Sequence, residues 1–99
     1  MNVGLRPDAE RDIAEVMAWY DGQQHGLGDS FLAEAEATFA RIAMRPNGYP
    51  TTHGTFKRAL MRKFPYTVYF RVAASDIVIF AVYHQRRQPD TLAERLSEP

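Results

Sequence analysis

The residues best suited to chemistry gather in two short stretches of the second half of the chain. Tyr83-His84-Gln85-Arg86-Arg87 ends the apolar run Ile77–Tyr83, and Lys57, Arg58, Arg62 and Lys63 crowd a segment upstream of it. His84 carries the one side chain there whose ordinary pKa lies near neutrality, so it can take up and release a proton. Arg87 or Lys57 can stabilise charge developing on a phosphate as it is cleaved. Tyr66, Tyr69 and Tyr83 can stack on bases or position that phosphate. The plainer alternative is structural. A histidine at a strand end serves as a hydrogen-bonding residue, and Arg86-Arg87 forms a solvated rim.

Other chemistries lack their parts. The chain has no cysteine, which excludes a cysteine nucleophile, a disulfide scaffold and a thiolate metal site. His25, His53 and His84 lie far apart with no His-x-x-x-His or acidic pairing, so neither a metal nor another cofactor is expected. There is no glycine-rich phosphate loop and no Gly-x-Ser-x-Gly elbow. The acidic residues of the first half stand beside the apolar stripes at solvent positions, where they serve solubility.

The formal net charge is zero, but it is unevenly spread. Residues 1–52 hold Arg6, Arg11, Arg41 and Arg45 against eight acidic residues, and residues 90–99 are again acidic on balance. Between them, Lys57, Arg58, Arg62, Lys63, Arg71, Arg86 and Arg87 face Asp76 alone. Such a block predicts one basic face, able to meet nucleic acid or an acidic protein segment. The alternative is an exposed sheet face with solvated arginine and lysine.

These residues need elements to hold them. Val3 and Leu5 alternate with polar or small neighbours, which predicts a short strand closed by Pro7. Ala9, Ile13, Val16, Met17 and Tyr20 fall on one face of a helix that Asp21-Gly22 and Gly26-Leu27-Gly28 are expected to break. Asp29 or Ser30 is expected to cap a second helix with the stripe Leu32, Ala35, Phe39, Ile42 and Ala43. Pro46-Asn47-Gly48 stops it, and a loop is expected to about Thr55. Phe56–Arg62 reads as a strand with blurred alternation, and Tyr66–Val72 as a clear period-two strand. Ile77–Tyr83, apolar on both faces, reads as the centre of a sheet. Pro89 is expected to begin a last short helix with Leu92 and Leu96. The order β-α-α-β-β-β-α predicts an α+β domain, a helix hairpin covering a small, mainly antiparallel sheet.

Ninety-nine residues suit a single domain spanning 1–99, and 45% hydrophobic with 24% charged residues suits a globular one. The longest apolar run is far short of the about twenty residues of a membrane span. Asp8, Glu10 and Asp12 follow the N-terminus at once, so no secretory leader is expected and the cytoplasm is the expected location.

The stretch Arg58-Ala-Leu-Met-Arg-Lys-Phe-Pro-Tyr-Thr-Val-Tyr-Phe-Arg-Val72, followed by Ile77-Val-Ile-Phe-Ala-Val-Tyr-His-Gln-Arg-Arg-Gln-Pro89, resembles the RelE/ParE toxins of bacterial type II toxin–antitoxin systems, also filed as plasmid stabilization proteins. The Phe-Pro-Tyr entering one strand and the His-x-Arg-Arg-x-Pro leaving the next are most similar to the ParE-type branch. The likeness extends to Pro7-x-Ala9 in the first helix and Arg95 in the closing one.

The resemblance implies a growth-arresting toxin held by a cognate antitoxin, and operator DNA contacted only through that antitoxin. Its branches imply different targets. RelE-type members cut mRNA on the ribosome with a cluster of basic residues and a tyrosine. Lys57 and Arg87 match two of those basic positions, while Ala59, Thr67 and Ala93 stand where that branch has a lysine, an arginine and a tyrosine. His84 remains as a proton carrier. ParE-type members inhibit DNA gyrase and need no active site of their own, and the pI of 6.8 fits a strongly basic ribosome binder poorly. A degenerate member that only binds its antitoxin is the third expectation. Arg58, Arg62, Lys63, Arg86 and Arg87 are the expected contacts to antitoxin or target, whereas Lys57, His84 and Arg87 would be catalytic in the ribonuclease.

Overall fold

The first strand, β1 (Asn2–Leu5), turns Val3 and Leu5 onto the core, and the Arg6 N–H still donates to the Ile79 carbonyl at 2.9 Å. Pro7, with no N–H to offer, then takes the first position of helix α1 (Pro7–Gln23), where Asp8 and Glu10 lie near the positive end of the helix dipole. The computed structural model describes residues 1–87 and 90–97. The expected start at Pro89 therefore lies outside the described residues. From Asp90 onward the closing helix is seen.

Two helix ends differ from the sequence expectation. α1 runs through Asp21-Gly22, and only Gln24–Gly26 separates it from α2 (Leu27–Met44). Gly26 makes the turn at φ +89°, a conformation that costs a side-chain-bearing residue energy. Asp29 and Ser30 therefore lie inside the first turn rather than capping it. The cap comes from the other helix, because the Gly28 N–H donates to the Asp21 carboxylate at 2.8 Å. A Cβ on Gly28 would stand 2.6 Å from the Met17 carbonyl oxygen, so only glycine lets the hairpin close here.

The five-stranded sheet has the order β1-β5-β4-β3-β2. β1 runs parallel to β5 (Asp76–His84), while β4 (Tyr66–Ala73), β3 (Phe56–Leu60) and β2 (Thr51–His53) are antiparallel neighbours. The α+β class, the helix hairpin and the mainly antiparallel sheet are as expected. β2 is an addition: it is a short edge strand inside the expected loop. β3 ends two residues before the expected Arg62. The Met61 N–H donates to the Tyr66 carbonyl at 2.9 Å and the Arg62 N–H to Glu34 Oε2 at 3.1 Å, so the chain is already turning.

The hairpin covers one face, here called inner. Phe31 and Ile42 are fully buried against Val68, Phe70, Ile77 and Ile79. The outer face carries Phe56, Phe80, Ala81 and Tyr83, onto which Leu92 and Leu96 of the closing segment pack. α3 (Asp90–Arg95) is thereby a lid over part of that face. A bulge joins the two sets. Tyr69 pairs with Ala81 but Phe70 with Ile79, leaving Phe80 unopposed. Ile77 and Ile79 point inward before the bulge and Val82 after it, while Phe80, Ala81 and Tyr83 point outward. The apolar run is thus buried on both faces, with a change of phase in its middle.

Candidate functional site

The alternation of β3 divides the basic residues between the two faces. Phe56, Arg58 and Leu60 are outward, and Lys57 and Ala59 inward, because their cross-strand partners Tyr69 and Phe70 belong to opposite faces. Lys57 Nζ donates to the Tyr49 carbonyl at 3.2 Å on the inner side. His84 pairs with Tyr66, also inward, with ring centroids 5.1 Å apart. Its Nδ1 accepts the Arg86 N–H at 3.0 Å. Lys57 and His84 are two strands apart and four residues apart along β4, roughly 15 Å on ordinary strand spacings. Arg87 is outward, its guanidinium 4.6 Å from the centre of the Tyr83 ring. The expected catalytic trio is therefore not gathered at one point.

Two basic grooves are gathered instead. On the outer face, Arg58, Leu60, Thr67, Tyr69, Gln85 and Arg87 line a depression of about 380 Å³. Burial pushes the Tyr69 hydroxyl above its ordinary pKa, opposed by the positive charge of Arg58 and reinforced by Tyr83. Around the β3 edge, Arg58, Leu60, Arg62 and Tyr49 line a second hollow of about 360 Å³, which Arg41, Met44 and Arg45 continue as one of about 450 Å³. Met44 is 81% exposed and Leu60 59%, so apolar surface lies open beside the arginines. β2 pairs with β3 only at Phe56 and Lys57, and the Arg58 N–H donates to the Pro50 carbonyl at 3.1 Å. Beyond Arg58 that strand edge carries no paired strand among the described residues. Such an edge can accept one more strand.

Of the expected binding residues, Arg58 and Arg62 share this edge groove, while Lys63 lies in a separate hollow with Phe64 and Glu34. Arg86 is exposed in the turn after β5. Arg41 and Arg45 were not foreseen. Their spacing, one helical turn at the end of α2, is the signal that points to them once α2 is known to stop above β3.

Arg95 holds the lid. Its guanidinium donates to the Phe80 carbonyl at 2.7 Å, to Asp12 Oδ2 at 2.9 Å and to the Tyr83 hydroxyl at 3.1 Å. Burial alone would weaken its charge, but the hydrogen bonds and charge of Asp12 outweigh that and hold its pKa above the ordinary value. No group of histidines and carboxylates among the described residues could hold a metal ion, and none of their helices is long and apolar enough to cross a membrane.

Helix hairpin, mixed five-stranded sheet and small outer lid define an α+β fold, and the sequence says which one. The chain belongs to the family of ParE toxins of type II toxin–antitoxin systems (parDE), whose model matches residues 3–89. Among solved structures it is similar in fold to a chain of the chromosomal ParDE toxin–antitoxin system from P. aeruginosa. That match has a TM-score of 0.76 and 15% identity, and covers 85% of this chain and 95% of the other. No curated protein matches it in sequence.

Proposed function

We propose that this ParE-family toxin is a cytoplasmic protein that arrests growth by inhibiting DNA gyrase and is neutralised by a cognate antitoxin. Family membership supports the toxin, and one geometric observation supports the target. Lys57, His84 and Arg87 are divided between two faces of the sheet, so these three are not brought together to supply acid, base and charge stabilisation. A protein that acts by binding needs none. The antitoxin would lay an extended acidic segment along the open β3 edge, its carboxylates on Arg58 and Arg62 and its apolar side chains over Leu60 and Met44.

Expression of the toxin alone tests the reading, with chromosome damage and transcript integrity followed in the same cells. Growth arrest with a DNA-damage response and intact mRNA supports it. Codon-positioned mRNA cuts would establish the second reading, a ribosome-dependent mRNA endonuclease, which Arg87 beside Thr67 in a polar groove favours. Unimpaired growth with folded protein accumulating would leave a member that only binds antitoxin and reaches operator DNA through it.

A further inference from the structure

The outer-face groove contains two guanidinium groups that the fold itself does not use. Arg71, on the same sheet face, rests over the rings of Phe56 and Phe80, 5.2 and 5.1 Å from their centres. Arg95 has Asp12. Arg58 has no side-chain hydrogen bond or ion pair among the described residues, although it stands beside Tyr69 across the strand pair. Arg87 is held by the face of Tyr83 at 4.6 Å, and that ring is itself fixed, its hydroxyl bonded to Thr91 and Arg95. A cation–π contact positions a guanidinium and leaves its N–H donors unspent. Thr67 and Tyr69 line the groove with the two arginines, and the Tyr69 ring stands 6.4 Å from that of Tyr83, centre to centre. Among the described side chains, no carboxylate lines the groove.

Two guanidiniums with unspent donors, Arg87 held over its ring, beside hydroxyl and aromatic groups suit a phosphodiester with its base against a ring. A space of about 380 Å³ lies at the small end of ligand pockets, which run from roughly 300 Å³ upward. That is room for about one nucleotide. We infer that this groove binds single-stranded DNA, with Arg58 and Arg87 clasping one phosphate. The choice of DNA rests on the gyrase reading above, since that target holds opened DNA; the anion site rests on the groove alone. Arg58 also lines the edge groove, so a bound antitoxin segment would compete for it.

The test is fluorescence anisotropy of the purified full chain with a labelled short single-stranded DNA, its RNA counterpart and the DNA duplex, without gyrase. Arg58→Gln and Arg87→Gln are compared with Arg11→Gln, whose arginine pairs with exposed Asp8 elsewhere, after circular dichroism shows each folded. Single-stranded DNA should bind, and each groove variant should weaken it about tenfold at low salt. Both substitutions together should lower the slope of log affinity against log salt by about 0.7, the share of the one single-strand phosphate contact the two arginines make. Arg11→Gln should bind like the parent. No binding at about 50 mM salt, or parental affinity in both groove variants, overturns the site. Binding of RNA alone overturns the DNA assignment. Gyrase inhibition that persists without oligonucleotide binding sinks this inference and spares the function, and the converse result spares the site.

Discussion

Asp12 and Arg95 meet across 83 residues of chain at the point where β1 ends, 2.9 Å apart, and together finish the edge of β5. Once Pro7 has turned the chain away, β1 no longer covers that edge. The Val82 N–H donates to Asp12 Oδ2 at 2.9 Å, and the Phe80 carbonyl accepts from Arg95 at 2.7 Å. Acid and base thus replace the missing strand, joining α1, the bulge and α3.

Removing one member leaves the other charged and largely buried. Arg95→Met or Asp12→Asn should each cost about 3 kcal/mol in urea unfolding. The double variant should cost clearly less than their sum, because both lose the same pair. Additive losses would show that the two residues act separately.

At alkaline pH the tyrosines should set the stability limit. Burial raises the pKa of Tyr20, Tyr66 and Tyr69 above the ordinary 10.0, with Tyr20 adding to the effect on Tyr66. Above that value the unfolded chain has lost protons that the folded one keeps, so stability is full below it and falls as pH rises toward the folded values. Thermal melts from neutral pH upward should show this decline, and Tyr66→Phe should make it shallower. A melting temperature flat through pH 11 would contradict it.

Gly28→Ala tests the close crossing of the hairpin. The added methyl has a backbone oxygen 2.6 Å away and nowhere to move, so a loss of about 1–3 kcal/mol is expected. Gly22→Ala has open space and a helical position, and should be neutral or slightly stabilising. Equal melting temperatures for the two variants would remove the steric argument.

Much of this architecture is legible in the chain, and the exceptions share a cause. Period 3.6 in Ala9–Tyr20 and period two in Tyr66–Val72 follow from burial of one face, which composition records directly. The Phe80 bulge leaves no trace, because a slip within an all-apolar run changes no residue's polarity. Gly28 reads as a helix breaker, whereas its purpose is contact with a neighbouring helix that local sequence cannot show. The β3 basic cluster was visible, but its division into inward Lys57 and outward Arg58 depended on the register with β4. Arg41 and Arg45 joined it only through the end of α2.

Charge reversal tests the antitoxin face. Arg58→Glu and Arg62→Glu should weaken the complex with the cognate antitoxin, with the greatest loss at low ionic strength, where such pairs are least screened. Met44→Ser should weaken it with little salt dependence, since it removes apolar contact alone. Unchanged affinity in all three, measured by calorimetry, would move the antitoxin to another surface.

The last expectation separates the gyrase reading from the ribonuclease. RNA cleavage by a 2′-hydroxyl needs proton transfer worth roughly 10²–10⁴-fold and electrostatic donors worth roughly 10²–10³-fold each. Thr67 and the exposed Ala93 supply neither the cation nor the phenol that the RelE-type branch is expected to use. Two absent contributors multiply to a deficit on the order of 10⁴-fold. Lys57 is engaged with the Tyr49 carbonyl on the inner face, and His84 Nδ1 with the Arg86 N–H. Purified toxin should therefore leave ribosome-bound mRNA intact while it inhibits supercoiling by gyrase. On the gyrase reading, His84→Ala and Lys57→Gln should retain toxicity, because that reading asks no proton transfer of either. Leu92→Ala, which opens a cavity under the lid, should cost about 2–4 kcal/mol of stability and reduce toxicity through the altered outer face. Position-specific mRNA cuts that vanish in His84→Ala or Arg87→Ala, with gyrase untouched, would transfer the protein to the ribonuclease branch.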